Sequence, residues 1–343
     1  MPPQETPLDV EGVHKIMEGF YAFQFLSAAV KFDLFSLLQR PLTRDQIMTE
    51  LRIAEQPARI LLLGCVSLGL IHKRGEHYQC SDAAAMTLSR DSPWDQRSLV
   101  RFSHEIAYRA MWWFHDSLCQ NTNVGLCEMA GAAPTLYGRL AANPEIERTF
   151  HEMMMTVTKI VAKRFVDAVD LSAGGRLLDI GGGSGTNAVA LARRWPRLAI
   201  EVLDLPSVVV SAARAAREAG LENRIHTIGA DCFAVDFPDC EHLLLAHFLE
   251  IWSPEQIKSL LNKAHRALPS GGHIYLINLL QHDDETGPTT AAIVSAYFLT
   301  LASGVGMAYT WKEYEAWLGA AGFEPLSRTS LTPAHGLIVG RRR

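Results

Sequence analysis

Cysteine, net positive charge and unbroken apolar runs are all scarce in this 343-residue sequence, and each shortage excludes something. The six cysteines (Cys65, Cys80, Cys119, Cys127, Cys232 and Cys240) are scattered and form no CxxC pair. A chain this long needs no disulfide staples, so a reducing, cytoplasmic setting is expected. The formal net charge of −5 offers no basic patch for nucleic acid. The terminal Arg341–Arg342–Arg343 run reads as a solvated tail. The polar, acidic opening MPPQETPLDVEG lacks the basic and apolar regions of a signal peptide. The longest uncharged stretch, Thr286 to Trp311, is interrupted by Gly287, Pro288, Gly304 and Gly306. It is expected to be a buried helix and loop lining a pocket, not a membrane span.

What the sequence does have is apolar material, 48% of its residues, enough for two cores. Residues 8–38 carry Ile16, Phe20, Phe23, Leu26, Val30 and Leu34 at helical spacing, with an aromatic cluster that suits a local core or a subunit interface. Thr43 is a plausible N-cap for a following helix, Gly69 ends the next one, and Leu70–Lys73 and His77–Cys80 pair as a hairpin around Arg74–Gly75. Helix, helix and wing make a winged-helix unit. Its second helix, QPARILLLGCVSLGL, has Arg59 as its one basic residue, which favours a structural or dimerising role over DNA reading. Residues 95–170 read as helical and contain Trp112, Trp113, Phe114 and the Met153–Met154–Met155 run. From Gly175 strands alternate with helices, which predicts a parallel sheet covered on both faces, with a C-terminal antiparallel hairpin. The expected division is 1–95, a connector 96–170, and 171–343.

The chemistry is carried by LLDIGGGSGTNAVALARRWP. A strand ends at Asp179, Gly181, Gly183 and Gly185 form a tight turn, and a helix starts at once; Asp179 and the three glycines are candidate ligand-binding residues. Glycines let the backbone turn sharply and a ligand come close to it. Position 186 is Thr, not the glycine of the dinucleotide fingerprint, so a ligand without pyrophosphate fits. Two acidic residues follow at the ends of successive strands. Asp204, followed by Leu205, can accept both hydroxyls of a ribose, and Asp231 can bind an adenine amine while Cys232 and Phe233 pack on the ring. The alternative for each aspartate is a cap or a turn.

With VLDLP, GADCF, the IWSPEQ helix and ALPSGGHIYLIN, this segment resembles the small-molecule O-methyltransferases of plant and bacterial natural-product pathways. The winged-helix half matches too, so the resemblance spans essentially the whole chain. It implies an α/β fold: a Rossmann-like class I methyltransferase domain with strand order 3-2-1-4-5-7-6 behind a helical winged-helix dimerisation domain. It also implies a homodimer and S-adenosylmethionine (SAM) as methyl donor.

The family pattern LHDW, whose His is the general base, reads Leu249–Glu250–Ile251–Trp252 here. The stretch Gly306–Thr310, where a supporting carboxylate is expected, reads GMAYT. Two other histidines are candidates: His247, assigned to the end of strand five, and His335, just before the last strand. The family topology brings both to one sheet edge, and Glu250 completes the candidate catalytic set. Two histidines there suit carbon methylation of an enolisable 2-oxo acid, one removing the β-proton and the other steadying the enolate. The HFLEIWS and YFLTLASG–GMAYTW stretches resemble the arylpyruvate and indolepyruvate C-methyltransferases. Tyr21, Phe25, Trp112, Trp113, Met154, Tyr297, Phe298 and Met307 are the candidates for an aromatic substrate pocket. A metal held by the histidine pair stays open, and His282–Asp283–Asp284–Glu285 reads as a polar loop. The competing readings are O-methylation of a phenol by Glu250 or His247, a winged-helix regulator, and decarboxylation or rearrangement in the same fold.

Overall fold

A computed structural model describes residues 8–90, 92–140 and 142–343, in two compact units that meet at His104/Glu105. The first unit opens with α1 (Val10–Lys31), capped where Asp9 accepts from the Gly12 N–H (2.7 Å). The single helix expected over 8–38 breaks after Lys31, and α2 (Leu34–Leu37) follows. Asp33 takes φ +53° at the break. Its carboxylate holds Ser36 (2.6 Å), Arg90 (2.6 Å) and Arg97 (3.0 Å), contacts that a continuous helix would forgo.

Next come β1 (Leu42–Thr43), α3 (Arg44–Leu51), α4 (Glu55–Ser67), and the hairpin of β2 (Ile71–Arg74) and β3 (His77–Cys80). Thr43 and Gln46 form a reciprocal capping box at the start of α3. The three strands lie in the order β1-β3-β2, which with α3 and α4 is the expected winged-helix arrangement. Leu34, Phe35, Leu38, Ile47, Leu62 and Ile71 are buried at its centre. The unit ends with α5 (Asp82–Leu88) and α6 (Arg97–Phe102).

In the second unit the short helices α7 (Tyr108–Ala110), α8 (Phe114–Gln120) and α9 (Leu136–Leu140) precede the long α10 (Pro144–Ala168). The stretch expected as a connector is therefore divided at His104/Glu105. From Glu105 onward it belongs to the sheet-bearing unit, because Val161, Phe165 and Leu171 pack in one cluster with Leu177, Leu191 and Leu244.

The sheet is built from β4 (Gly175–Ile180), α11 (Thr186–Arg194), β5 (Leu198–Asp204), α12 (Val209–Glu218), β6 (Ile225–Gly229), β7 (His242–Ala246), α13 (Pro254–Ala267) and β8 (His273–Leu279). It is completed by α14 (Thr289–Tyr297), α15 (Trp311–Ala320), β9 (Phe323–Ser330) and β10 (His335–Arg342). The strand order is β6-β5-β4-β7-β8-β10-β9, with β4 to β8 parallel and β10 antiparallel to both neighbours. Counting β4 as the first strand gives 3-2-1-4-5-7-6, as expected.

Alternate residues of the central strands enter opposite cores. Leu178, Ile180, Leu243 and Leu245 meet α13 and α15, while Leu177 and Leu244 meet α10 and α11. Burial on both faces explains why these strands read as continuous apolar runs. The segment 286–311 forms α14, a π-helical turn at Phe298–Ala302 and a loop. Among the described residues no helix is long and apolar enough to cross a membrane.

One assignment is corrected. The strand leading to His247 is the fourth of the sheet, and the fifth is β8. His247 and His335 still converge, because β8 lies between them. The His247 N–H donates to the Ile277 carbonyl (2.7 Å), and His335 is in register with Leu279.

Candidate functional site

A cavity of about 330 Å³ opens at the C-terminal ends of β4, β5, β6 and β7, the edge where open α/β sheets bind ligands. The glycine turn forms its floor. Gly181 has φ +67°, and a Cβ there would lie 2.2 Å from a ring carbon of Phe248, so no side chain fits. Gly183 also lines the cavity and donates its N–H to Asp204 Oδ2 (2.9 Å). Gly185 lies outside the lining. It caps α11 at φ +73°, and a Cβ there would meet Ala212 of α12 at 3.2 Å, so its role is helix packing.

Asp204 Oδ1 accepts the Leu205 N–H (2.7 Å), so both oxygens are oriented while each keeps a lone pair for a ligand. Burial raises its pKa, against the pull of the two N–H bonds and of nearby His151. Leu205, Asp231, Cys232 and Phe233 line the same wall. Asp231 accepts the Phe233 N–H (2.9 Å) and shapes the turn. Lys263 of α13 donates to the carbonyls of Cys232 (2.9 Å), Phe233 (2.7 Å) and Val235 (2.7 Å). The Cys232 thiol is pushed up to about 12 by burial, which leaves it an apolar wall and not a nucleophile.

Asp179 is placed differently from its sequence expectation. It lies fully buried beneath the turn and outside the lining, with Oδ2 2.7 Å from where a Cβ on Gly182 would sit. Neither of its oxygens has a hydrogen-bond partner among the described residues. Burial, with Asp204 second, raises its pKa to about 8.

The candidate catalytic residues cluster beside the cavity. His247 lines it, with the left-handed φ of +51° that turns its side chain off the strand end. Its Nδ1 lies 3.7 Å from Glu250 Oε1, and its ring meets that of His335 edge-on at 5.1 Å. Glu250 and His335 stand behind His247, outside the lining. His335 Nδ1 is hydrogen-bonded to Thr332 Oγ1 (2.8 Å). Burial, and then His247, push its pKa down to about 3, so it stays neutral near pH 7.

Of the candidate substrate residues, Met154 lines the cavity. Tyr297 and Phe298 lie behind the lining, in a cluster with Ile251, Phe248 and Trp252. Trp112 (84% exposed) and Met307 (40% exposed) lie outside the lining, and Trp113 donates its indole N–H to Glu128 (2.9 Å). Tyr21 and Phe25 belong to α1 of the first unit, where Tyr21 is exposed and the Phe25 ring fills the space above Gly64.

Sequence reasoning missed the wall formed by Tyr137 of α9 and by Glu147, Phe150, His151 and Thr158 of α10. The signal was available: with Met154, the α10 residues recur every three or four positions and share one helix face. Among the described residues no three His, Cys, Asp or Glu side chains converge on a metal position. In the polar loop, Asp283 serves the Lys312 N–H (3.0 Å) and Arg328 (3.0 Å), and Asp284 serves Thr286.

Residues 117–324 match the model of the O-methyltransferase domain. The chain belongs to that methyltransferase family. Residues 14–90 match the O-methyltransferase dimerisation domain. The enzyme is 36% identical to an L-tyrosine C(3)-methyltransferase of Streptomyces lavendulae, over 99% of this chain and 95% of that one. It is 31% identical to a 3-hydroxy-5-methyl-1-naphthoate 3-O-methyltransferase of Streptomyces sahachiroi, over 94% and 92% of the two chains. Among solved structures, the apo form of the SAM-dependent methyltransferase SibL superposes with TM-score 0.83 at 36% identity, covering 97% of this chain and 99% of that one. Human N-acetylserotonin methyltransferase in complex with SAM shares the fold, with TM-score 0.87 at 24% identity over 100% and 99% of the two chains.

This enzyme is therefore a SAM-dependent methyltransferase of natural-product type. The cavity suits that donor. The glycine floor leaves room for a ligand against the backbone, Asp204 keeps lone pairs for hydroxyls, and Cys232 and Phe233 offer an apolar wall.

Proposed function

We propose that this methyltransferase methylates carbon, at the ring position beside the hydroxyl of a phenolic small molecule, with His247 as the proton acceptor. When bound, SAM supplies an electrophilic methyl group. The imidazole of His247 takes the phenolic proton, and the resulting oxyanion pushes electron density onto the adjacent ring carbon. That carbon would form the bond to the methyl as the methyl–sulfur bond breaks; the ring would then lose its own proton to water, restoring aromaticity, and His247 would return its proton to the phenolic oxygen. The balance is one phenol and one sulfonium giving one methylated phenol, one thioether and one proton. Asp204, Asp231, Cys232 and Phe233 hold the nucleoside, Glu250 orients His247 and stabilises its charged form, and neutral His335 fixes the ring from the other side.

The observation that carries this reading is the cavity-lining His247, backed at 3.7 Å by buried Glu250, where the family pattern would place its His at position 250. The relative 36% identical over 99% of this chain methylates a tyrosine carbon, which supports carbon over oxygen. A 2-oxo acid is activated by the same chemistry, since a phenol is an enol held in a ring. However, its carboxylate sits two bonds from the carbon that reacts and must enter the cavity, whose described lining contains no Lys or Arg. A phenol ring enters without that cost. The exposed α1 side chains Val10, Val13, Ile16, Met17, Phe20 and Tyr21, together with the dimerisation-domain match, support a homodimer.

The test is incubation of purified enzyme and SAM with L-tyrosine, simple phenols and arylpyruvates, with the new methyl located by NMR. A carbon-bound methyl on a free phenol is expected. A methyl ether would establish oxygen methylation, and turnover of arylpyruvates alone would restore the 2-oxo acid.

A further inference from the structure

Strand β8 carries one amide side chain in the run HIYLINL, Asn278, and it is 1% exposed. The orientation that satisfies its amide points the nitrogen at Glu250 Oε2 and at the Ile277 carbonyl (3.0 Å). Glu250 is itself 1% exposed, and its ion-pair contact among the described residues is with His247 Nδ1. Two phenols also feel its charge. The Tyr314 hydroxyl of α15 is pushed up by burial and then by Glu250, and that of Tyr137 of α9 by burial, Tyr297 and Glu250. The ring of His335 of β10 meets the His247 ring edge-on at 5.1 Å. An amide and two phenols bring no positive charge, so His247 is the one neighbour named here that can balance a buried carboxylate.

We infer that Asn278 is a positioning residue: by binding Oε2 it turns Oε1 of Glu250 toward Nδ1 of His247, so that the imidazole offers Nε2 to the acceptor hydroxyl. This rests on His247 being the proton acceptor. It places the supporting hydrogen bond on the fifth strand, away from the 306–310 stretch where a second carboxylate was expected. The donor does not ionise, so it holds the carboxyl orientation at any pH.

The test uses full-length enzyme with Asn278→Leu, Asn278→Ser, Glu250→Gln and the Asn278→Leu/Glu250→Gln double variant, with L-tyrosine as acceptor. Asn278→Leu is expected to lower kcat about tenfold, leave calorimetric SAM affinity unchanged, and move the acidic limb of kcat/KM to lower pH. Asn278→Ser, which keeps a donor, should recover part of the loss. In the Glu250→Gln background the Leu substitution should add less than twofold, since both act through one contact. Additive losses, or an unmoved limb, would overturn the inference. A crystal structure of Asn278→Leu supplies a readout free of turnover: the Oε1–Nδ1 separation should open beyond the present 3.7 Å, and an unchanged separation would overturn it. His247→Gln separates the two readings. Full turnover there removes His247 as the base, while the double-variant comparison and the crystal distance still decide whether Asn278 positions Glu250.

Discussion

Replacing Asp179 with Asn should change how the stability of the enzyme depends on pH. The side chain is fully buried, neither oxygen has a partner among the described residues, and its folded-state pKa is raised to about 8. An unfolded aspartate titrates near ~3.9. Between those values the folded chain holds a proton that the unfolded chain has released, so stability falls as pH rises through the window. The slope is about 1.4 kcal/mol per pH unit. Asparagine keeps the shape and cannot ionise, so Asp179→Asn removes this slope and no other. The stability difference between variant and parent should grow in the variant's favour by about that amount per unit between pH 5 and 8. For a unit of this size it corresponds to a melting-temperature gap widening by roughly 3–6 °C per pH unit. Thermal unfolding of both proteins without cofactor, at pH 5, 6, 7 and 8, checks this, because every other titrating group cancels in the difference. Parallel curves would show that the carboxyl is ionised in the folded protein and that the buried, unpartnered site has been misread.

Two further substitutions probe the cavity. Asp204→Ala deletes the acceptor for two N–H groups and for the ligand hydroxyls; about 3 kcal/mol of lost charge-assisted bonding predicts SAM binding roughly 100-fold weaker by calorimetry. Gly181→Ala places a Cβ 2.2 Å from the Phe248 ring at a positive φ, and is expected to cost about 2–3 kcal/mol and most of the SAM affinity. Gly183→Ala, with nothing within 4 Å of its Cβ, is the control and should cost about 1 kcal/mol in thermal unfolding.

The sheet was legible because its strands and helices alternate and because GxGxG, Asp204 and Asp231 fall at the ends of successive strands. The convergence of His247 with His335 was legible from topology even though the strand was miscounted, since an antiparallel last strand starts where its parallel neighbours end. Aromatic residues misled where composition stood in for position: Trp112 suits an aryl pocket by type, yet it lies in the open. The Tyr137–His151 wall escaped because α9 and α10 carry no motif, and only the three-to-four spacing marks their shared face. Asn278 escaped because it hides in an apolar strand. A lone amide in a strand buried on both faces must find a partner, and nothing in the sequence says that the partner is Glu250, 28 positions earlier.

Lys263 has a consequence for recognition. With three carbonyls of the 232–235 turn gathered on one ammonium, that loop is given its shape when the chain folds, not when the donor arrives. The wall proposed for adenine is thus pre-organised, and little of the loop's disorder remains to be lost on association. The methylated and demethylated forms of the cofactor meet the same rigid surface at their shared nucleoside. Discrimination between them is then left to the parts of the cavity that meet the sulfonium.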